Sequence, residues 1–518
     1  MIVEDQSPVI AFLSRAETWG PGVRAVERRE THASVIFLAG EKAYKLKRAV
    51  RYPYLDYGTA HLRRRFCEAE LAINRRTAAD LYGRVLPVIR QPDGSFAVGG
   101  DGEPVDWLIE MQRFPEDAVF DRLADAGRLD RFAVENLADS IARFHAEAER
   151  RPTGGGAAAM ARILDSNDRS FAESDPSVLA RDQVEAVGAA SRQALAAVAP
   201  LLDRRRDEGF VRHCHGDLHL RNIIARDGRA VLFDAIEFDP ALAEIDVLYD
   251  LAFVVMDLQF RDLGRLGSIL LNRYLDVTGD PGGLAALPLF LSIRASIRSH
   301  IDAAAAKTHS NPEQARALAA AASRYLDLSL RFLQPRPPRL VAVGGLSGSG
   351  KSRLARELAP FFLPPPGARV VRTDTTRKRL AGVDPETRLA PRDYSEAASR
   401  RTYEAIYAEA RAALAAGQTV IADAVFARAE ERQAIASLAA DAGVPFQGLW
   451  LDAAPPLLEQ RVSSRVHNVS DATPEVVRLQ LSFDLGPIDW LRLDSSGAGS
   501  NTLGAAAVIL GLEIPESD

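Results

Sequence analysis

Residues 341–352, VAVGGLSGSGKS, constrain this chain more than any other stretch. They read as a short apolar strand, a glycine-rich loop and the start of a helix. Gly345, Gly350, Lys351 and Ser352 satisfy G-x-x-x-x-G-K-[ST] without a gap, with Ser347, Gly348 and Ser349 inside the loop. Glycines let such a loop curl until successive backbone N–H groups face one anion. A lysine at this spacing reaches β- and γ-phosphates, and the hydroxyl after it can ligate Mg²⁺. The helix beginning at Ser352 points its positive end at the same anion. The pattern predicts a nucleoside triphosphate site, with Lys351 acting on the phosphates and Ser352 on the metal.

The chain has 518 residues, room for two or three domains. Net charge is −6, which disfavours indiscriminate nucleic-acid binding. Cys67 and Cys214 are the only cysteines, so neither a disulfide framework nor a cysteine zinc cluster is expected. No uncharged apolar run approaches the roughly 18 residues of a membrane span. MIVEDQSPVI lacks the pattern of a signal peptide, and the cytoplasm is the expected compartment.

QPRPP at 334–338 reads as a domain seam. It divides the chain into 1–335 and 336–518. In the first part, residues 31–47 alternate like two strands about a turn at Ala39–Gly40–Glu41, placing Lys45 and Lys47 on one face. Helical spacing follows over 61–79, carrying Glu68 and Glu70. Strands are predicted at 85–89 and 107–111, one helix over 123–149, and a loop at 151–158.

HGDLHLRN then holds His215, Asp217 and Asn222, and VLFDAIEFD holds Asp234. Phosphoryl transfer needs a carboxylate at the attacking hydroxyl and Mg²⁺ on the phosphates. Asp217 is the candidate base, Asn222 and Asp234 are the candidate metal ligands, and a turn at ARDGR would bring those ligands together. His215 is expected to brace the loop. His213, His215 and His219 could form a metal site, but the Asp and Asn companions fit Mg²⁺ better.

This constellation resembles the aminoglycoside phosphotransferase and choline kinase family, which shares the protein-kinase fold, over about residues 25–330. The resemblance implies a small lobe of about 1–113 and a helical large lobe of about 114–335. It implies that Lys45 meets the α- and β-phosphates and Glu70 holds Lys45, with Lys47 and Glu68 as second choices. It makes 110–113, including Met111, the hinge against adenine. No G-x-G-x-x-G is present, so THASVIFLAG would cover the phosphates, with Thr31, His32 and Ser34 as polar contacts. One of Asp246 and Asp250 would brace the catalytic loop. Arg294 and Arg298, four apart, either grip an anionic substrate or form a solvated helix face.

Beyond the glycine-rich loop, strands at 370–374, 419–423, 446–452 and 491–494 alternate with helices, including a long one at 397–416. This predicts a parallel sheet wrapped by helices, with ligands at the carboxyl ends of its strands. Asp374 and Asp423 fall at such ends. Asp374 is the candidate for the acceptor hydroxyl and Asp423 for metal or substrate, although either could simply cap the next helix. Arg461 and Arg465 would stabilise transferring charge from a closing segment, or lie on a solvated face. GLSGSGKS, TDTTRKRL, VIADAVF and RVSSR resemble the small P-loop kinases that include gluconate kinase, polynucleotide 5′-kinase and zeta toxins, over about 339–515. The fold class expected is therefore mixed α/β and α+β: a two-lobed kinase-like domain followed by a P-loop domain. The two resemblances imply ATP and Mg²⁺ as cofactors and a bifunctional phosphotransferase acting on small-molecule hydroxyls. The basic run 377–379 is the one feature that favours a nucleic-acid acceptor. An alternative keeps one half active and makes the other an ATP sensor.

Overall fold

The computed structural model describes residues 2–52, 55–464 and 470–514. The chain divides into two compact units. The first comprises residues 1–156 and 205–253, and the second 157–204 and 254–518. QPRPP thus lies inside the second unit and not at the division.

The first unit is built on a six-stranded antiparallel sheet. Its order is Val26–Glu30, Ser34–Ala39, Lys42–Lys47, Glu103–Gln112, Tyr82–Arg90 and Phe96–Val98. Alternation sends Val35, Phe37 and Leu46 to one face, where they pack with Val9 and Leu13 of helix Ser7–Leu13. Ala43 faces the other way, into a cluster with Cys67 and Ala78 of helix Ala60–Ala78. Lys45 and Lys47 share that face with Ala43. Thr59 caps the helix by accepting the Leu62 N–H. Its buried stripe is Arg63, Cys67, Glu70, Ile73, Asn74 and Ala78, spaced for one helix face. Three of those side chains are strongly polar, so the stripe carries charge into the interior.

The helix expected over 123–149 is two helices, Phe120–Asp125 and Arg131–Glu147. The sequence AGRLD interrupts it, and Asp130 opens the second helix by accepting the Ala133 N–H. The loop expected at 151–158 is shorter, because a helix starts at Gly156. Val211–His213 leads into the HGDLHLRN loop, and ARDGR closes a hairpin between Ile223–Arg226 and Arg229–Leu232.

The second unit contains the paired helices Leu287–Thr308 and Pro312–Phe332, stitched by hydrogen bonds among Ser292, Ser296 and Ser329. It also holds a five-stranded parallel sheet. The order is Arg369–Arg372, Val420–Asp423, Leu340–Gly344, Phe446–Asp452 and Leu491–Asp494. Each strand is followed by a helix: Thr373–Leu380, Ala429–Asp441, Lys351–Leu358, Pro455–Ser463 and Gly499–Leu510, respectively. The central strand Leu340–Gly344 is buried throughout, as its unbroken apolar run predicts. The expected strand at 370–374 ends at Arg372, so Asp374 stands in the first turn of a helix, one residue past its start.

Candidate functional site

In the first unit, Lys45 Nζ donates to Glu70 Oε1 at 2.8 Å and to Asp234 Oδ1 at 2.6 Å. Lys47 Nζ donates to Glu70 Oε2 at 2.6 Å, to Tyr57 Oη at 3.2 Å and to Glu237. Tyr57 Oη in turn donates to Glu237 Oε1 at 2.6 Å. Burial alone would push the Glu70 carboxyl up, but the two ammonium groups outweigh it and hold it at about 2. The two lysines differ in reach: Lys45 meets Asp234 and keeps 14% of its side-chain exposure, while Lys47 keeps 1%. Glu68 is exposed and pairs with Arg64 at 2.8 Å.

The HGDLHLRN loop is held by its own polar groups. Asp250 accepts the backbone N–H of His215 at 3.0 Å and of Gly216 at 2.9 Å. Asp246 instead accepts from Arg205 at 2.7 Å and 2.9 Å. His215 Nε2 bonds the Phe233 carbonyl at 2.9 Å, and its Nδ1 accepts the Asp217 N–H at 3.3 Å. Those partners fix the Nε2–H tautomer, and burial lowers the pKa of the ring. His215 is therefore a brace. Asn222 Nδ2 donates to Asp217 O at 2.9 Å and to Asp217 Oδ2 at 3.0 Å. The Asp217 side chain remains 38% exposed. Across the hairpin, Phe233 N–H bonds Asn222 O at 3.0 Å, which places Asp234 beside the asparagine. Asp234 takes φ +62°, a left-handed conformation that Asp tolerates better than most, and its N–H bonds Tyr82 Oη at 3.2 Å. Among the described residues the three histidines of the loop do not converge. The group that does is His145, Cys214 and Asp250, all buried.

In the second unit the loop 345–350 has the shape its glycines allow. A Cβ on Gly345 would lie 2.6 Å from Leu451 O, and one on Gly348 2.6 Å from Leu458 O. Both residues have positive φ, at +138° and +89°. The Ser349 hydroxyl is buried without a hydrogen-bond partner. Lys351 Nζ donates to Leu346 O at 3.0 Å. The Ser352 hydroxyl lies near enough to Asp423 to favour its ionised form, and Asp423 ends the neighbouring strand in register with Val343. Burial raises the Asp423 pKa, against the opposing pull of Arg372 and Lys351. The charge of Asp374 also bears on Asp423, so the helix turn brings it near although it is not a strand-end residue.

Two family matches fall on these regions. Residues 107–287 match the phosphotransferase enzyme family, and residues 340–484 match an AAA domain. Proteins of Mycobacterium tuberculosis and Mycobacterium bovis, each designated uncharacterized, are 30% identical to this chain over 493 residues, covering 93% of it and 94% of each of them. The chain belongs to the family of these two-part proteins. Solved structures with similar parts include a choline/ethanolamine kinase family protein of Mesorhizobium loti, 13% identical, covering 61% of this chain and 94% of that one with a TM-score of 0.37. The APS kinase of Mycobacterium tuberculosis is 23% identical, covering 34% of this chain and 99% of its own, with a TM-score of 0.25. A gluconokinase of Sinorhizobium meliloti is 19% identical, covering 34% and 94%, with a TM-score of 0.25.

In this two-part protein the remaining candidates fall as follows. Met111 lies within a strand, in register with Ala43 and Tyr82, and its side chain joins the apolar cluster. The strand ends at Gln112, so the first residue beyond it is Arg113, whose N–H bonds Glu41 O at 3.0 Å. Arg461 is half-buried and donates to Ser495 O at 2.7 Å. Arg465 lies outside the described residues. Arg294 and Arg298 are not solvated either: Arg294 is buried, and Arg298 pairs with Asp302 at 2.9 Å. The basic run is engaged internally. Arg377 donates to Asp393 O at 2.8 Å, Lys378 pairs with Asp471 at 3.2 Å, and Arg379 pairs with Glu409 at 2.7 Å. Sequence reasoning missed Tyr57, Tyr82 and Glu237. Only Glu237 left a trace, as a carboxylate three residues after Asp234 in DAIEFD.

Proposed function

We propose that the chain is a bifunctional ATP-dependent phosphotransferase, with one Mg·ATP site in each unit and small-molecule hydroxyls as acceptors. The observation that carries this reading is that each unit keeps a full charged set. The first has Lys45, Glu70 and Asp234 with Asp217 and Asn222. The second has Lys351, Ser352 and Asp423 with Asp374 close by.

The residues present fit the nucleotide. Gly345 and Gly348 let the loop curl tightly against Leu451 O and Leu458 O, where a Cβ would clash, and the buried Ser349 hydroxyl has no protein partner. Bound Mg·ATP supplies an electrophilic phosphoryl group whose charge the metal neutralises. In the first unit Lys45 binds the α- and β-phosphates, oriented by Glu70. Asn222 and Asp234 hold the metal. Asp217 takes the proton of the acceptor hydroxyl, its carboxylate oriented by the Asn222 amide. In the second unit the loop 345–350 binds phosphate through backbone N–H groups, and Lys351 adds positive charge. Ser352 and Asp423 hold the metal, and Asp374 orients the acceptor hydroxyl. Arg461 and Arg465 balance transferring charge, for which Arg461 must exchange its bond to Ser495 for one to phosphate. The internal engagement of 377–379 argues against nucleic acid as the acceptor.

The test is transfer from ATP into a metabolite extract, read as mass gain of one phosphate. Lys351→Ala and Asp217→Asn should each remove a different set of products. Loss of all products in one variant and none in the other would leave a single active kinase. Identical loss in both would show that the halves serve one reaction.

A further inference from the structure

Arg369–Arg372 is an edge strand of the parallel sheet, with Val420–Asp423 as its neighbour. An edge strand presents unpaired N–H and C=O groups. Here helix Gly264–Thr278 satisfies them. Asn272 Oδ1 accepts the Val370 N–H at 2.8 Å and Arg369 Nη1 at 3.0 Å, and its Nδ2 donates to Ala368 O at 3.1 Å. One turn on, Asp276 Oδ1 accepts from Arg369 Nη2 at 2.6 Å. Its other oxygen faces Arg372, with Oδ2 3.9 Å from Arg372 Nη1. Arg372 turns a different nitrogen to the phosphate site: Nε is 3.7 Å from Asp423 Oδ2. That Nε is buried and has no hydrogen-bond partner.

Arg372 therefore stands between two carboxylates. Its separations are too long for hydrogen bonds, so it adds nothing to the edge cover that Asn272 and Arg369 already make. G-x-x-x-x-G-K-S does not call for an arginine at this place. We propose that Asp276 and Arg372 are positioning residues of the P-loop site: Asp276 orients Arg372, and Arg372 holds the Asp423 carboxylate toward the metal position beside Ser352. This rests on the reading of Asp423 given above. Asp276 lies within the stretch that matches the phosphotransferase family, so that stretch helps to complete the second phosphate site. The two activities are then not separable at QPRPP.

The geometry makes the test practicable. Arg369 also pairs with Glu409 at 2.6 Å, so Asp276→Asn leaves it a partner. The experiment titrates Mg²⁺ against binding of a fluorescent ATP analogue to the full chain. Asp234→Asn forms the background, to weaken metal-dependent binding in the first unit. Asp276→Asn and Arg372→Gln should each raise the Mg²⁺ midpoint roughly ten-fold. Their combination should be no worse than Arg372→Gln alone, because they act along one path. Arg372→Lys should recover part of the loss. Asn272→Ala should lower the melting temperature without moving the midpoint, as a purely structural role would. Midpoints within about two-fold of the background in both variants overturn the proposal, provided Ser352→Ala shifts its own. If Ser352→Ala shifts nothing either, the P-loop reading fails instead. Should Asp276→Asn not fold, Arg372→Gln against Arg372→Lys decides by itself.

Discussion

Asp217 and Asp234 belong to one loop system but have opposite surroundings. Both are partly exposed, but Asp217 accepts from the Asn222 amide, while Asp234 faces the Lys45 ammonium at 2.6 Å. Asp217→Asn should therefore keep Mg·ATP binding and lose about 10²-fold or more in transfer. Asp234→Asn should weaken both, with partial recovery at high Mg²⁺. A nucleotide titration with Lys351 removed separates the two, and the reverse pattern would exchange the roles. A second residue reports on pH. Burial, helped by Arg298, pushes the His300 pKa down to about 4. The ring is neutral when folded and protonates more readily when unfolded, so its contribution is complete above pH 6.5 and fades as pH falls toward 4. At roughly 1.4 kcal/mol per unit this is up to about 3 kcal/mol. His300→Gln should flatten that part of the melting profile, and an unchanged profile would show that the ring does not titrate there. The closeness of Asp217 and Asn222 was legible in HGDLHLRN, and that of Asp234 in the ARDGR turn that folds VLFDAIEFD back onto the loop. The choice of Lys45 over Lys47 was not, because both sit on one strand face and only the far partners, Asp234 and Glu237, tell them apart.

Strand and helix patterns were read well where burial has a clean period. The hairpin around Gly40, the helix at 61–79 and the four outer strands of the parallel sheet fell within a few residues of prediction. The errors came where a helix begins inside a pattern that reads as continuous. Asp130 splits a continuous helical signal, and the strand expected to reach Asp374 gives way to helix at Thr373. The phosphate loop offers the sharpest test of an element. Gly348→Ala would put a methyl group 2.6 Å from Leu458 O at a positive φ, so the loop must move. Nucleotide binding at this site should be lost, while melting should change far less than for a core truncation. Retained binding would mean that the loop adapts and that its glycines do not set its shape. The edge strand offers another test. Asn272→Ala leaves the Val370 N–H and Ala368 C=O without their partner, at about 1–3 kcal/mol for each group. A melting temperature equal to that of the wild type would show that water replaces the asparagine.

In the molecule as a whole, the two family matches fall on either side of the proline-rich stretch, but the compact units do not divide there. Helices 254–332 cluster with the P-loop domain because Asn272, Arg273 and Asp276 bond to it, and no periodicity reveals such side-chain partners. The two proposed nucleotide sites can be counted without knowing either acceptor. Equilibrium titration with a non-hydrolysable ATP analogue and Mg²⁺ should show two sites per chain in the wild type. At limiting Mg²⁺, Lys351→Ala and Asp234→Asn should each leave one, and the double variant none. One site in the wild type, or loss of both on substituting Lys351 alone, would contradict a bifunctional enzyme.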